Sequence, residues 1–571
     1  MRTYTNPVFE YRRPPELDGA RRRYPVAVIG AGPVGLVAAI DLAQRDVPVV
    51  VLDEDNTVSV GSRAICYAKR TLEILDRLGC GEDVVQKGVR WSVGRVFHGS
   101  ELTYQFDLLP ETGHRRPAFV NLQQYHFEEC LVRRAEALAH AELRWRHKVI
   151  DVAPSNDGVT LRVATPDGEY ALTCDWLIVA DGARSPVRHM LGLDTEGQVF
   201  HDRFLIADIH MTSDFPAERW FWFDPPFHPN QSALLHRQAD NVWRVDFQLG
   251  WDADPDEEKK PERILPRLRA MLGAEAKFEI EWASVYTFAC RRMRKFRHGR
   301  VLFAGDAAHL VSPFGARGAN GGVQDVDNLI WKLDLVLKGL ASDCLLDSYD
   351  VERVVAADEN IRNSTRSTEF ITPKSTVSRT FRDAVLSLAK KHPFARRLVN
   401  SGRLSVPAVL RDSPLNTPDR DADFAKTPDA MVPGAPAADA PVTALLGARV
   451  DLIQGSGAAT IDAPVSLARG DWLLSYLIPG FTLLTFGDAV PVVQGGSITA
   501  GGVACGIVQV GSRAQADRTV ISDKTGLVER RYDGRPGTSY LLRPDQHVCA
   551  RWRAFDAGAV RRAMDRAMGA A

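Results

Sequence analysis

The sequence predicts an α/β protein of several domains, built around a parallel sheet. Three observations predict it. A strand, a Gly-rich turn, a helix and a second strand follow one another between Pro25 and Asp53. Two later apolar runs, 176–180 and 301–304, have the same buried-strand character, and each leads into a pair of Gly and Asp. Between them, from about 200 to 290, strand-length runs alternate with Pro, Asp and Asn, the texture of a mostly antiparallel sheet.

The 571 residues suggest about three or four domains. With 45% apolar and 25% charged residues, the chain has the profile of a globular protein with large cores. A net charge of −1 argues against a basic nucleic-acid binder and against an acidic disordered chain. No apolar run approaches the ~18 residues of a membrane span; the longest, 473–484, is broken by Ser475, Tyr476, Pro479 and Gly480. The first 23 residues lack a signal core, and their arginines (Arg12, Arg13, Arg21, Arg22, Arg23) read as a solvated arm. Eight cysteines stand at 66, 80, 130, 174, 290, 344, 505 and 549, with no C-x-x-C and no zinc spacing. They read as reduced thiols of a cytoplasmic protein without a metal site.

The first strand, 26–29, runs into Gly30-Ala31-Gly32-Pro33-Val34-Gly35 and a helix over 36–43; the second strand, 49–52, ends at Asp53. This is the G-x-G-x-x-G fingerprint in its required βαβ context. Gly30 permits the tight turn, Gly32 lets backbone approach a pyrophosphate, and Gly35 lets helix pack on strand. The helix start, with Pro33 in its first turn, offers N–H donors, and Asp53 would accept from ribose hydroxyls. At this point NAD and FAD are equally served. Helices follow over 69–78 and 125–139, then a hairpin around Pro166-Asp167-Gly168. Beyond the sheet region come a helix over 321–337, further helices over 341–400, and a Pro/Ala/Asp-rich stretch, 427–441, that marks a linker or domain entry.

Two motifs narrow the ligand. The strand 176–180 leads into Asp181-Gly182-Ala-Arg184-Ser185-Pro-Val-Arg188. The strand 301–304 leads into Gly305-Asp306, then into Pro313-Phe-Gly315-Ala-Arg317-Gly318-Ala-Asn320-Gly321-Gly322. A carboxylate at 306, at a strand end, suits the polyol chain of a flavin, and N–H groups at the next helix start suit negative charge on a reduced flavin ring.

These three motifs, in this order, resemble the single-component FAD-dependent aromatic hydroxylases, the group A flavoprotein monooxygenases of p-hydroxybenzoate hydroxylase fold. The likeness is greater to the 3-(3-hydroxyphenyl)propionate and phenol hydroxylase branch with a C-terminal thioredoxin-like domain. The resemblance implies FAD contacts from Gly30, Gly32, Pro33, Gly35, Asp53, Arg63, Gln124, Asp181, Gly182, Gly305, Asp306, Pro313, Gly318, Asn320 and Gly321. Pro313 would lie by the flavin ring, and Asp181 and Gly182 would serve NAD(P)H as well. A surface ion pair or a helix cap is the plainer reading of Arg63 and Gln124. The sequence departs from its relatives at two places. Ile65 and Cys66 follow the Arg63-Ala64 pair, where phenol hydroxylases often carry an aspartate base, and Ala316-Arg317 stands where Gly-Gln is common. Arg317 would meet an anionic substrate or the nicotinamide cofactor, or face outward.

The reaction implied is hydroxylation of an aromatic, phenolic ring by NAD(P)H and O2 through a flavin C4a-hydroperoxide. Rival chemistries on the scaffold are oxidative denitration, dehalogenation, decarboxylation and alkene epoxidation; a rival of another class is a flavin-binding module without turnover. Catalytic candidates are Tyr286, on the strand that lines the pocket in relatives, His236, as a proton acceptor, and Pro313. Strand alternation pairs Trp220 with Trp222 on one face, and Arg244 with Asp246 and Gln248 on one face. The organisation expected is an N-terminal arm (1–24), an FAD domain in two parts (25–195 and 291–395), a β-sheet substrate domain (196–290), a linker (396–429) and a thioredoxin-like domain (430–571). That last domain, lacking a C-x-x-C, is expected to have no dithiol chemistry. The partners expected are a small aromatic substrate, O2 and NAD(P)H, with no nucleic acid, no membrane, and a homodimer as the assembly.

Overall fold

The computed structural model describes residues 4–61, 63–399, 404–420, 424, 431–445, 472–477, 479–488, 497–515 and 518–570. Residue 62 and most of the linker segment 421–430 lie outside the described residues. The chain forms two compact units: residues 1–110, 116–326 and 357–406 in the first, and 111–115, 327–356 and 407–571 in the second.

The first unit holds the parallel sheet. Its central strand, Arg23–Ile29, lies between Val49–Asp53 and Gly168–Val179, and the latter pairs in parallel with Val301–Phe303. Residues 26–29, 49–52, 177–179 and 301–303 are all buried, as strands covered on both faces must be. Because these neighbours run in parallel, the three motifs emerge side by side at their carboxyl ends. Ligands bind open α/β sheets at those ends.

A second, eight-stranded sheet belongs to the same unit. Its core is the expected one: Glu196–His210, Arg219–Phe223, Ser232–Arg237, Val242–Leu249 and Glu279–Arg292, antiparallel throughout. It also takes in Val93–His98 and Glu101–Asp107, to which the sequence reading assigned nothing, with Val93–His98 parallel to Arg219–Phe223. One face, with Leu205, Ala207, Leu235, Val245 and Phe247, is covered by Ile264 and Leu268 of the helix Pro261–Leu272.

The arginines of the N-terminal segment, Arg12, Arg13, Arg21, Arg22 and Arg23, are exposed as expected, but the segment is also packed on the first unit. Tyr4 stacks on Tyr125 with ring centroids 4.2 Å apart, Phe9 on Trp145 at 4.4 Å, and Glu16 is buried on Arg144 at 3.1 Å. Aromatic residues spaced along the arm anchor it, while its arginines stay exposed.

The second unit has a mixed sheet in the order Thr443–Ala444, Thr519–Ser522, Val503–Val510, Phe481–Phe486, Ser539–Leu542, Val548–Trp552. The Phe481–Phe486 strand is parallel to Val503–Val510 and antiparallel to Ser539–Leu542. On one side Val560 and Met564 of the helix Ala557–Ala567 pack with Trp331 and Leu335; on the other Tyr476, Val528 and Tyr532 pack with Ala437, Ala440 and Val442. The described end of the Pro/Ala/Asp-rich stretch is therefore part of this core. Cys505 and Cys549 are fully buried in it, and burial pushes both thiols up, Cys549 to about 12. The turn Arg543-Pro544-Asp545-Gln546 joins two strands, with the Gln546 N–H donating to the Arg543 carbonyl at 2.8 Å. Among the described residues, no helix is long and apolar enough to cross a membrane, and no cluster of His, Cys, Asp and Glu is arranged to hold a metal.

Candidate active site

The first turn meets the requirements of a pyrophosphate loop. Gly30 has φ +100°, and a Cβ there would sit 2.5 Å from the Ala180 carbonyl oxygen of the neighbouring strand. A Cβ on Gly35 would collide with the Gly30 carbonyl, whereas one on Gly32, the N-cap of the helix Pro33–Gln44, would meet nothing within 4 Å. Open space therefore lies where a phosphate would approach the helix N-terminus. Asp53 accepts from the N–H groups of Ala31 (2.6 Å) and Asp55 (2.8 Å), and burial pushes its carboxyl up to about 6.

Gln124 begins the helix Gln124–Glu136 and holds the loop that carries Arg63. Its Oε1 accepts from the Ala64 N–H at 2.9 Å, and its Nε2 donates to Glu128 at 2.8 Å. Glu128, which the sequence reading missed, accepts in turn from the Ser59 N–H at 2.6 Å. Arg63 itself is exposed, and its charge favours the ionised forms of Asp306 and Tyr286.

The other two motifs are laced together. Arg188 donates to the carbonyls of Ala307 (2.8 Å) and Ala183 (3.1 Å), one from each motif. Asp181 accepts from the Val187 N–H at 3.1 Å; Gly182 has φ +82°, and a Cβ there would meet nothing within 4 Å. The N–H of Gly305 donates to Asp325, which also meets His309 Nε2 at 2.6 Å. Asp306 has an exposed side chain directly after the strand end. Surrounding protein still raises its carboxyl, against the charges of His309 and Arg63, and a Cβ on Gly318 would stand 3.9 Å from its Oδ1. An accessible carboxylate in such a place suits polyol hydroxyls, so the residues present fit FAD.

After Asp306 the chain turns through an exposed Pro313 and a buried Phe314, which packs on Phe204 and Phe288 of the second sheet. Ala316 has φ +53°, a conformation costing a non-glycine residue about 1–2 kcal/mol, at the position where glycine is common. Arg317 is buried and folds back toward the Phe314 carbonyl, so it is not outward-facing; burial lowers it to about 10. Asn320, in the helix Gly318–Leu337, is also buried. It accepts from the Ala68 N–H and the Thr71 hydroxyl and donates to the Cys66 and Ala316 carbonyls, at 2.6–2.8 Å. Two of these four bonds fasten the loop to the strand Cys66–Ala68. Gly321 packs near His309 and Asn360.

The sheet face opposite the helix Pro261–Leu272 carries a row of polar residues in register across four strands: Arg219 beside His236, His236 beside Arg244, Arg244 beside Asp208. Trp282 completes the row on the next strand. Arg244 binds Asp208 through two hydrogen bonds (2.8 and 2.9 Å) and donates to the Arg63 carbonyl at 3.2 Å, which places the row over the Arg63 loop. His236 is 2% exposed and held neutral by burial and the two arginines. Tyr286 is half-buried on this face, its hydroxyl raised by burial. Trp220 and Trp222 lie on the other face, in the core under the helix. The sequence reading missed Arg219 as a site residue; a charge heading the aromatic strand Arg219–Phe223 was the available signal.

A strand-end cradle for a dinucleotide, set in one unit with a polar sheet face, fits the class of flavin-dependent enzymes. Comparison with known proteins agrees. The chain is 32% identical over 339 residues to para-nitrophenol 4-monooxygenase of Pseudomonas sp. strain WBC-3, covering 57% of this chain and 82% of that one. It is 25% identical over 541 residues to a 3-(3-hydroxy-phenyl)propionate/3-hydroxycinnamic acid hydroxylase of Mycolicibacterium smegmatis, covering 92% and 89%. The crystal structure of the flavin-dependent monooxygenase PieE, in complex with FAD and substrate, shares the fold with a TM-score of 0.77 at 21% identity, over 97% of this chain and 100% of that one. The chain belongs to the FAD binding domain family, whose match spans residues 23–364, and it is an FAD-dependent monooxygenase of aromatic compounds.

Proposed function

We propose that this enzyme hydroxylates a phenolic ring at the expense of NAD(P)H and O2. The observation that carries the reading is the convergence of three strand-end motifs with the Arg63 loop, and of that loop with the polar face of the second sheet. In this reading Gly30, Gly32, Pro33, Gly35 and Asp53 hold the ADP half of FAD, and Arg63, Gln124, Asp181, Gly182, Gly305 and Asp306 hold the pyrophosphate and ribityl region. Pro313, Gly318, Asn320 and Gly321 shape the ring pocket. Bound FAD supplies the reduction by NAD(P)H and the transfer of one oxygen atom. The protein positions the ring, excludes water and manages the proton of the phenol. Tyr286, protonated at neutral pH, serves as a hydrogen-bond donor, and His236 stays neutral beside the arginines.

The test starts from 4-nitrophenol and 3-(3-hydroxyphenyl)propionate, compounds carried in the names of two relatives. One or both should stimulate NAD(P)H oxidation and give a product with one oxygen atom from isotopically labelled O2. Label arriving from water overturns the reading. Asp306→Ala should weaken FAD retention by about 1.5–3 kcal/mol, the worth of a hydrogen bond to a charged group. Flavin content after dialysis measures it, and unchanged retention removes Asp306 from the FAD site.

We also propose a cytoplasmic homodimer. Seven of the eight cysteines are buried and all are free, as a reducing compartment allows. Val377, Phe381 and Leu388 of the helix Thr376–Ala389, with Phe394 and Leu398 of Pro393–Val399, expose an apolar patch that a second copy would cover. Light scattering on the purified protein decides the assembly.

A further inference from the structure

A phenolate is a better ring nucleophile than a phenol, so hydroxylation needs a group that takes the phenolic proton. The polar face of the second sheet offers few. Cys66 beside it has its thiol pushed up to about 11 by burial, and Tyr286 is raised as well, so both stay protonated. Burial keeps His236 neutral, and the charges of Arg219 and Arg244 further oppose its protonation. Asp208 has both oxygens engaged by Arg244.

Asp246 is different. It stands two residues along Val242–Leu249 from Arg244, on the same face, opposite Leu234 and Ile206. No hydrogen bond reaches its carboxylate from the described residues, and its Oδ1 is fully enclosed. Two strands away and two residues off register, about 12 Å between backbones, Arg219 is 9% exposed; it feels the charge of Asp246, and no ion pair joins the two. A half-buried carboxylate with one enclosed, unpartnered oxygen and a buried guanidinium on the same face are costly unless a ligand bridges them. The bridging group must donate to one and accept from the other.

Resting on the phenol-hydroxylase reading above, we infer that Asp246 is the catalytic base that takes the phenolic proton, and that Arg219 binds the resulting phenolate oxygen. The O–H bond breaks, its electron pair stays on the phenolate oxygen, and the proton forms a new bond to the Asp246 carboxylate. The proton returns to water when product leaves. An ordinary phenol has a pKa of about 10; the Arg219 charge favours the phenolate and makes the transfer accessible. Burial and Asp208 raise Asp246 to about 6, opposed by Arg244 and Arg219; His236, Cys66 and Tyr286 are uncharged neighbours. The base is therefore ionised above pH 6, and the rate on a weakly acidic phenol should fall as pH drops through that value.

The experiment compares two phenols on the FAD-loaded enzyme. 3-(3-Hydroxyphenyl)propionate needs a base at neutral pH; 4-nitrophenol, made far more acidic by its nitro group, does not. Asp246→Asn should lower kcat on the first by about 10²–10⁴-fold, restore it as pH approaches the phenol's own pKa, and spare the second. Equal losses on both, or no loss, overturn the inference while leaving the phenol-hydroxylase reading intact. Failure of the unaltered enzyme on both phenols overturns that reading instead. Should Asp246→Asn not load FAD, Asp246→Glu carries the test: the acid limb of kcat should move with the new carboxyl, and an unmoved limb excludes Asp246 as the base.

Discussion

Arg543→Met should destabilise the second unit by about 3–5 kcal/mol, the cost of removing one partner from a buried ion pair. Arg543 Nη1 meets Glu352 at 2.5 Å, and Nη2 meets Asp545 at 2.7 Å. Glu352 also binds Lys332 at 2.7 Å and the amide of Asn328 at 2.6 Å. The side chains of Lys332, Glu352, Arg543 and Asp545 are all 0% exposed. Two cations balance two anions, and the guanidinium holds Glu352 and Asp545 well below the usual carboxylate range. Methionine fills the volume but leaves an excess negative charge in a dry core. Adding Asp545→Asn to the variant restores the balance and should recover part of the loss, so the pair of variants separates charge from packing. Chemical denaturation measures both, and a loss below about 1 kcal/mol would mean that the network is as weak as a surface pair.

A chain ending at residue 430 should be poorly soluble and low in flavin. The second unit is not appended after a finished fold: it includes residues 327–356, in the middle of the sequence. Truncation strips Phe481, Ile507, Val560 and Met564 from Trp331, Leu335 and Leu345, and Arg543 from Glu352. Large aromatic and aliphatic side chains then face water, the condition for aggregation. Solubility, oligomeric state and flavin content against the full chain give the result. A soluble, FAD-loaded, fully active truncation would make the C-terminal segment a separable binding module. With Cys505 and Cys549 both sealed in the core, structural support is the role that the truncation measures.

Much of the FAD half was legible in the sequence because its signals are local. Glycine spacing, the apolar runs and Asp53 about 20 residues on all follow from what one turn and two adjacent strands require. The parallel order that brings residues 30, 181 and 305 to one sheet edge extends the same logic, since each motif follows a buried strand.

The substrate face was legible only by halves. Alternation with a period of two shows that Arg244, Asp246 and Gln248 share a side, and Trp220 and Trp222 another. It does not show which side is covered. The helix Pro261–Leu272 decides that, by taking the tryptophan face into its core and leaving the charged face to the Arg63 loop. Nor does spacing show that Arg219, His236, Arg244 and Asp208 form one row, because cross-strand neighbours are set by register between distant segments. The described part of the 427–441 stretch proved to be the domain entry that its composition allowed. The packing of the N-terminal arm was not legible in the same way: composition reports average polarity, while contact depends on where a few aromatic side chains land. Local backbone chemistry determined the cofactor fold from sequence alone; the proton chemistry of the site was decided by long-range register and by which sheet face the fold left open.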